Sequence, residues 1–216
     1  MLKLYSYFRS SAAYRVRIAL NHKGIDYQQI PVNLVMDEQN TPDYLSINPQ
    51  GLVPALKLAD DTIITQSTAI LEWLEEQYPE PNLYPHDPII RAKVRSLCNI
   101  IACDIHPLNN LRVLKYLVEE FNISEEKKSN WYLNWIAKGF SSLEKALSPE
   151  PFALGHKVSM VDVYLIPQVF NALRFKQDMN DYPNITRIYR ACNELEAFKR
   201  AAPESQIDAQ EQFYSK

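Results

Sequence analysis

The chain has 216 residues, of which 46% are hydrophobic, and a formal net charge of −3 at neutral pH. Such an apolar content supplies a substantial core for one large domain or two small ones and excludes a disordered chain. The slight acidity excludes the broad basic surface of a nucleic-acid or polybasic membrane binder.

In chain order, Leu2-Lys3-Leu4-Tyr5-Ser6-Tyr7 alternates with period two and predicts a strand. Ala12, Val16, Ala19 and Leu20 then fall at helical spacing, and Gly24 stands where a C′ glycine ends a helix. The junction therefore places Ser10 and Ser11 at a helix N-terminus, where unpaired N–H groups and the helix dipole favour an anion and a hydroxyl can donate one more hydrogen bond. A plain N-cap explains the same serines. Tyr27 to Val32 predicts a second strand, parallel to the first across one helix in a right-handed βαβ unit. Residues 33–51 read as polar and turn-rich. Val53 to Leu58 and Thr62 to Thr65, around Asp60-Asp61, predict a β-hairpin. A helix follows from Ser67 to Tyr78, with Ile70, Leu71, Leu74 and Tyr78 on one face.

Pro79, Pro81, Pro85 and Pro88 mark a stiff linker, which divides the chain into domains 1–82 and 88–216. The second is predicted all-helical, with helices near 89–118, 125–147, 160–175, 184–193 and 195–201 and an interruption of the first at Pro107. Ser159 and Asp162 form a capping-box pattern, with Val158 and Val163 as a hydrophobic staple. Cys98, Cys103 and Cys192 are odd in number, lack a CxxC and read as reduced, packed thiols. The four histidines, at 22, 86, 106 and 156, have no ligand spacing. Only four glycines occur, so GxGxxG, a Walker loop and a GxSxG elbow cannot be written. Neither a membrane span nor a signal-peptide core is legible, which predicts a cytoplasmic protein.

A βαβ unit followed by ββα, with a functional first turn, resembles the thioredoxin fold, yet Ser10-Ser11-Ala12-Ala13 stands where redox members place CxxC. The turn cannot perform dithiol exchange, but its helix terminus can lower the pKa of a thiol brought by a ligand, at about 1.4 kcal/mol per unit. Glutathione is the cytosolic thiol that suits it. Ser10-Ser11-x-x-Tyr14-Arg15-Val16-Arg17-Ile18-Ala19-Leu20, Lys23-Gly24-Ile25-Asp26-Tyr27, Asn48-Pro49-x-x-x-Val53-Pro54, Gln66-Ser67-x-Ala69-Ile70 and Pro167-Gln168-Val169-Phe170-Asn171-Ala172-Leu173-Arg174-Phe175-Lys176 together resemble the zeta-class glutathione transferases, the maleylacetoacetate isomerases. The similarity runs over nearly the whole chain.

That resemblance implies a thioredoxin-like α/β domain plus an all-α domain and a homodimer. It also implies glutathione-dependent cis–trans isomerisation of a small unsaturated dicarboxylate in tyrosine and phenylalanine catabolism, without nucleic-acid or membrane partners. By the same resemblance Ser10 and Ser11 are the catalytic candidates. Glutathione would be held by both serines, Arg15, Gln39, Val53 ahead of a cis Pro54, Gln66, Ser67, His106 and Asn110. Arg9, Arg112 and Arg174 are the candidates for the substrate carboxylates. The chain departs from the family at Ala12, where many members have cysteine, and at Tyr14, where tryptophan is common. His106 to Arg112 also resembles maleylpyruvate isomerases, which leaves the choice of acid open, and the fold alone would equally suit a non-catalytic interaction protein.

Overall fold

The computed structural model describes residues 1–209, and contacts divide it into two compact units. The first comprises Met1–Asn82 and the chain from Asn193, the second Leu83–Cys192.

In the first unit, strands β1 (Leu2–Ser6), β2 (Tyr27–Pro31), β3 (Ala55–Lys57) and β4 (Ile63–Thr65) form one sheet in the order β2-β1-β3-β4. β1 runs parallel to β2 and antiparallel to β3, with Leu4 opposite Gln29 and Leu56. The alternation of β1 buries Leu2, Leu4 and Ser6 on one face. Helix α1 (Ser11–His22) ends in a Schellman motif: Gly24, at φ +64°, donates to Asn21 O and Ile25 N donates to Leu20 O. Helix α2 (Pro42–Ile47) lies in the stretch expected to be only turn-rich. Thr41 caps it by accepting from Tyr44 N and Pro42 occupies its first turn, so residues that signal a loop here start a helix too short for its periodicity to show. Helix α3 (Ser67–Gln77) buries Ile70, Leu71 and Leu74, the face expected apart from the exposed Tyr78.

α1 is buried from Ala13 to Leu20, Arg15 and Arg17 included, because it packs against both α3 and α9 (Glu196–Ala201). This differs from the expected grouping of 88–216 as one domain, since the chain from Asn193 returns to the first unit. Arg17 Nε donates to Ala201 O at 2.9 Å and Asn21 Nδ2 to Ala197 O at 3.2 Å, so α9 satisfies polar side chains of α1.

The second unit is helical: α4 (Pro88–Asn99), a π-helix (Ile100–Ile105), α5 (Leu111–Phe121), α6 (Glu125–Ala146), α7 (Met160–Arg174) and α8 (Pro183–Asn193). The expected first helix is thus broken around Pro107, with a π-helical turn before the break. Gly139 on α6 admits that turn, because a Cβ there would run into the Ile105 side chain. The Asp162 carboxylate accepts from Ser159 N at 2.8 Å, Ser159 Oγ at 2.7 Å and Ala153 N at 2.8 Å, which starts α7 and pins the preceding loop. Cys98 and Cys192 are packed as expected, whereas Cys103 is exposed on the π-helix, whose outer face nothing in this unit covers. Burial and the neighbouring Asp162 push the Cys192 thiol up, leaving it inert. Among the described residues no helix is long and apolar enough to cross a membrane.

Candidate functional site

β1 stops at Ser6, and the chain turns through Tyr7-Phe8-Arg9 into α1 with Ser10 at the N-cap in an extended conformation. Ser10 Oγ accepts from Ala13 N at 3.2 Å. A hydroxyl has one proton to donate as well as lone pairs to accept with, so capping leaves the Ser10 O–H available to an anion. Ser11, the first helical residue, is buried. Beneath the turn, Arg17 is fully buried and donates to Ser6 Oγ at 3.0 Å, Tyr7 O at 3.3 Å and Phe8 O at 3.0 Å. Burial lowers its pKa to about 10, so it stays charged at neutral pH. Arg9 is exposed, its guanidinium 4.8 Å from the Phe8 ring centroid.

Arg15 is buried and its Nη1 lies 3.4 Å from Ser67 Oγ, which links α1 to the start of α3. Ser67 is the first residue of that helix, and Gln66 caps it at φ 69°, ψ 119°. A non-glycine residue holds such a backbone at a cost of about 1–3 kcal/mol, a strain that tends to gather at ligand sites. Gln66 Nε2 donates to Gln50 Oε1 at 2.7 Å. Gln50 is a partner that sequence reasoning missed, because it falls on an unassigned position between Pro49 and Val53.

The Val53–Pro54 peptide is cis, and the sheet ladder begins only at Ala55, so Val53 lies just outside it. Tyr44 Oη and Asn48 Nδ2 both donate to Leu52 O at 2.7 Å and fasten this loop. Gly51, at φ +61°, lets it approach the segment Glu38–Asn40, since a Cβ there would sit 3.2 Å from Gln39 O. Gln39 is half-buried and donates to Asp37 Oδ1 at 2.7 Å. The first unit therefore gathers Ser10, Ser11, Arg15 and Ser67 along two helix starts, and Gln39 beside the Val53 loop.

In the second unit, His106 follows the π-helix and Asn110 caps α5, its Oδ1 accepting from Arg112 N at 3.1 Å. Arg112 itself is exposed. Arg174 ends α7 and lines a cleft of about 450 Å³ with Asn109, Leu114, Tyr132 and Phe175. Its guanidinium lies 4.9 Å from the Phe175 ring centroid, and Phe175 stacks on Tyr132 at 3.7 Å and 14°. Burial pushes the Tyr132 phenol up to about 12, while the adjacent Arg174 cation pulls it back. Asn109 Nδ2 donates to Tyr132 O at 3.0 Å and so anchors the cleft wall, a role that sequence reasoning did not assign to it. Two adjacent asparagines after a proline break carry no signal that would have separated one from the other.

Two family models match the chain: the N-terminal domain of glutathione S-transferase over residues 9–77 and its C-terminal domain over 110–200. The maleylpyruvate isomerase of a Ralstonia species is 44% identical over 212 residues, 96% of this chain and 100% of that protein. The mouse maleylacetoacetate isomerase is 46% identical, over 95% of this chain and 94% of its own length. Among solved structures, a maleylacetoacetate isomerase from Methylobacterium extorquens with bound malonate and glutathione superposes with a TM-score of 0.91 at 41% identity, over 96% of this chain and 99% of that one.

Proposed function

As the chain belongs to the glutathione S-transferase family, among its zeta-class members, we propose that it is a glutathione-dependent isomerase converting maleylacetoacetate to fumarylacetoacetate. The observation that carries this reading is a cysteine-free helix start whose capping serine keeps its proton to give.

The donor set fits glutathione. The starts of α1 and α3 offer backbone N–H groups to anions, and the buried Arg15 cation lies behind the second. Val53, off the end of the ladder, offers its backbone to an extended peptide. When bound, glutathione supplies the thiolate that adds to the conjugated cis double bond and leaves after rotation about the resulting single bond. Ser10 donates a hydrogen bond from its hydroxyl to the thiolate sulfur while its oxygen caps α1, and the helix dipole acts in the same direction. Gln66 and Ser67 receive the γ-glutamyl carboxylate, Val53 pairs with the cysteinyl backbone, and Gln39, His106 and Asn110 are further contacts of the tripeptide. Arg174, on the wall of its cleft, pairs with a substrate carboxylate and opposes the negative charge that develops, with Arg9 and Arg112 as the other cations. A relative solved with both glutathione and malonate, itself a dicarboxylate, supports this pairing of ligands. The protein works as a cytoplasmic homodimer in the breakdown of tyrosine and phenylalanine.

The test mixes the purified chain with glutathione and either maleylacetoacetate or maleylpyruvate and follows isomerisation optically. Faster turnover of maleylpyruvate reassigns the substrate. No turnover of either acid, with no retention on immobilised glutathione, overturns the reading.

A further inference from the structure

The turn that carries Ser10 lies beyond the end of β1, and a donor aimed at a sulfur is only as well placed as that backbone. The C-terminal segment braces this turn. Phe8 N donates to Asp208 Oδ2 at 2.8 Å in a buried bond between residues 200 apart in sequence. The other oxygen of Asp208 accepts from Gln29 Nε2 at 3.2 Å, so the carboxylate bridges the turn to β2. On its carbonyl side the turn is held by Arg17, whose guanidinium bonds Tyr7 O, Phe8 O and, from the same C-terminal segment, Ala201 O. Gln206 Nε2 donates to Arg200 O and Ala202 O, which sets the path of the chain into Asp208. Ala209 then packs in one apolar cluster with Tyr7, Phe8, Val32, Tyr44 and Val53.

We propose that Asp208 and Arg17 are positioning residues for the thiolate-binding turn, clamping the Phe8 backbone from both sides so that the Ser10 hydroxyl and the start of α1 are held toward the sulfur. This rests on the functional reading above. A carboxylate acting only through its field would hinder a thiolate, so deleting it would increase ionisation of the thiol. A carboxylate acting through the backbone would have the opposite effect when lost.

The test compares Asp208→Ala and Asp208→Asn in the full chain. It reads amide exchange over Tyr7 to Ser10 without ligand, and the ultraviolet absorbance of glutathione thiolate at saturating glutathione and neutral pH. Asp208→Ala is expected to speed exchange and to raise the pKa of the bound thiol by about one unit, which lowers the thiolate fraction by up to about tenfold. Asp208→Asn keeps an acceptor for Phe8 N–H and is expected to stay within about twofold of the parent on both readouts. Arg17→Lys keeps a cation but loses the fork of donors, and should move both readouts as Asp208→Ala does, which serves if that variant does not fold. Unchanged exchange and thiolate fraction in Asp208→Ala, a rise in the thiolate fraction, or an asparagine variant as impaired as the alanine one overturns the clamp. A parent chain that binds no glutathione overturns the functional reading instead, and the exchange measurement still decides the clamp.

Discussion

Replacing Ser10 by alanine removes two interactions of different kinds, and their sizes can be worked separately. The cap bond to Ala13 N, at 3.2 Å, is worth about 1 kcal/mol, which lowers the unfolding midpoint of a chain this size by roughly 2–4 °C. The hydroxyl bond to a charged sulfur is worth about 1.5–3 kcal/mol, or about 1–2 pKa units of the bound thiol. Ser10→Ala should therefore raise the pKa of the bound thiol by about 1–2 units and lower the thiolate fraction at neutral pH, and turnover with it, by up to about 10- to 100-fold while the fold survives. Ser10→Asp separates the two effects, since aspartate caps as well as serine but sets a negative charge beside the sulfur. It should unfold at about the parent temperature and turn over no faster than the alanine variant. The assays are thermal unfolding, thiolate absorbance at saturating glutathione and initial isomerisation rate. Parental turnover in either variant would refute the role of the hydroxyl and leave the helix N–H groups or Ser11 to carry it.

Arg174→Ala should raise KM for the dicarboxylate about tenfold or more and leave KM for glutathione within about twofold, because a lost guanidinium–carboxylate pair acts on one ligand only; steady-state kinetics in both substrates checks this. Asp162→Ala should cost about 2–4 kcal/mol in urea unfolding, well above an ordinary cap, because Ser159 N, Ser159 Oγ and Ala153 N all lose their acceptor in a buried setting. Gly139→Ala should cost about 1–3 kcal/mol in the same assay, since the added methyl displaces Ile105 from the π-helical turn.

The elements whose periodicity is strong and local were legible. β1, α1 and α3 lie where alternation and helical spacing put them, and the Ser159–Asp162 box starts α7. Pro107 does interrupt the first helix of the second unit. α2 was not legible, because six residues opened by Thr41 and Pro42 look like a turn until the backbone bonds are seen. The burial of Arg15 and Arg17 was not legible either. Amphipathic spacing assigns charged residues to solvent, and only packing against α3 and α9 puts the whole of this helix inside.

By itself the sequence determined the local chemistry: a serine pair without cysteine at a helix start, a Val53–Pro54 loop, a Gln66–Ser67 helix start and arginines placed singly rather than in a patch. Tertiary structure decided what those groups rest on. Only the fold shows that Ser10 caps through its oxygen and keeps its proton, that Asn109 anchors the Arg174 cleft, and that Gln50 holds Gln66. The return of the chain from Asn193 to meet Phe8 and Arg17 belongs to the same class. Periodicity and capping are properties of neighbouring residues, whereas a buried donor takes its acceptor from wherever the chain passes, here 200 residues away.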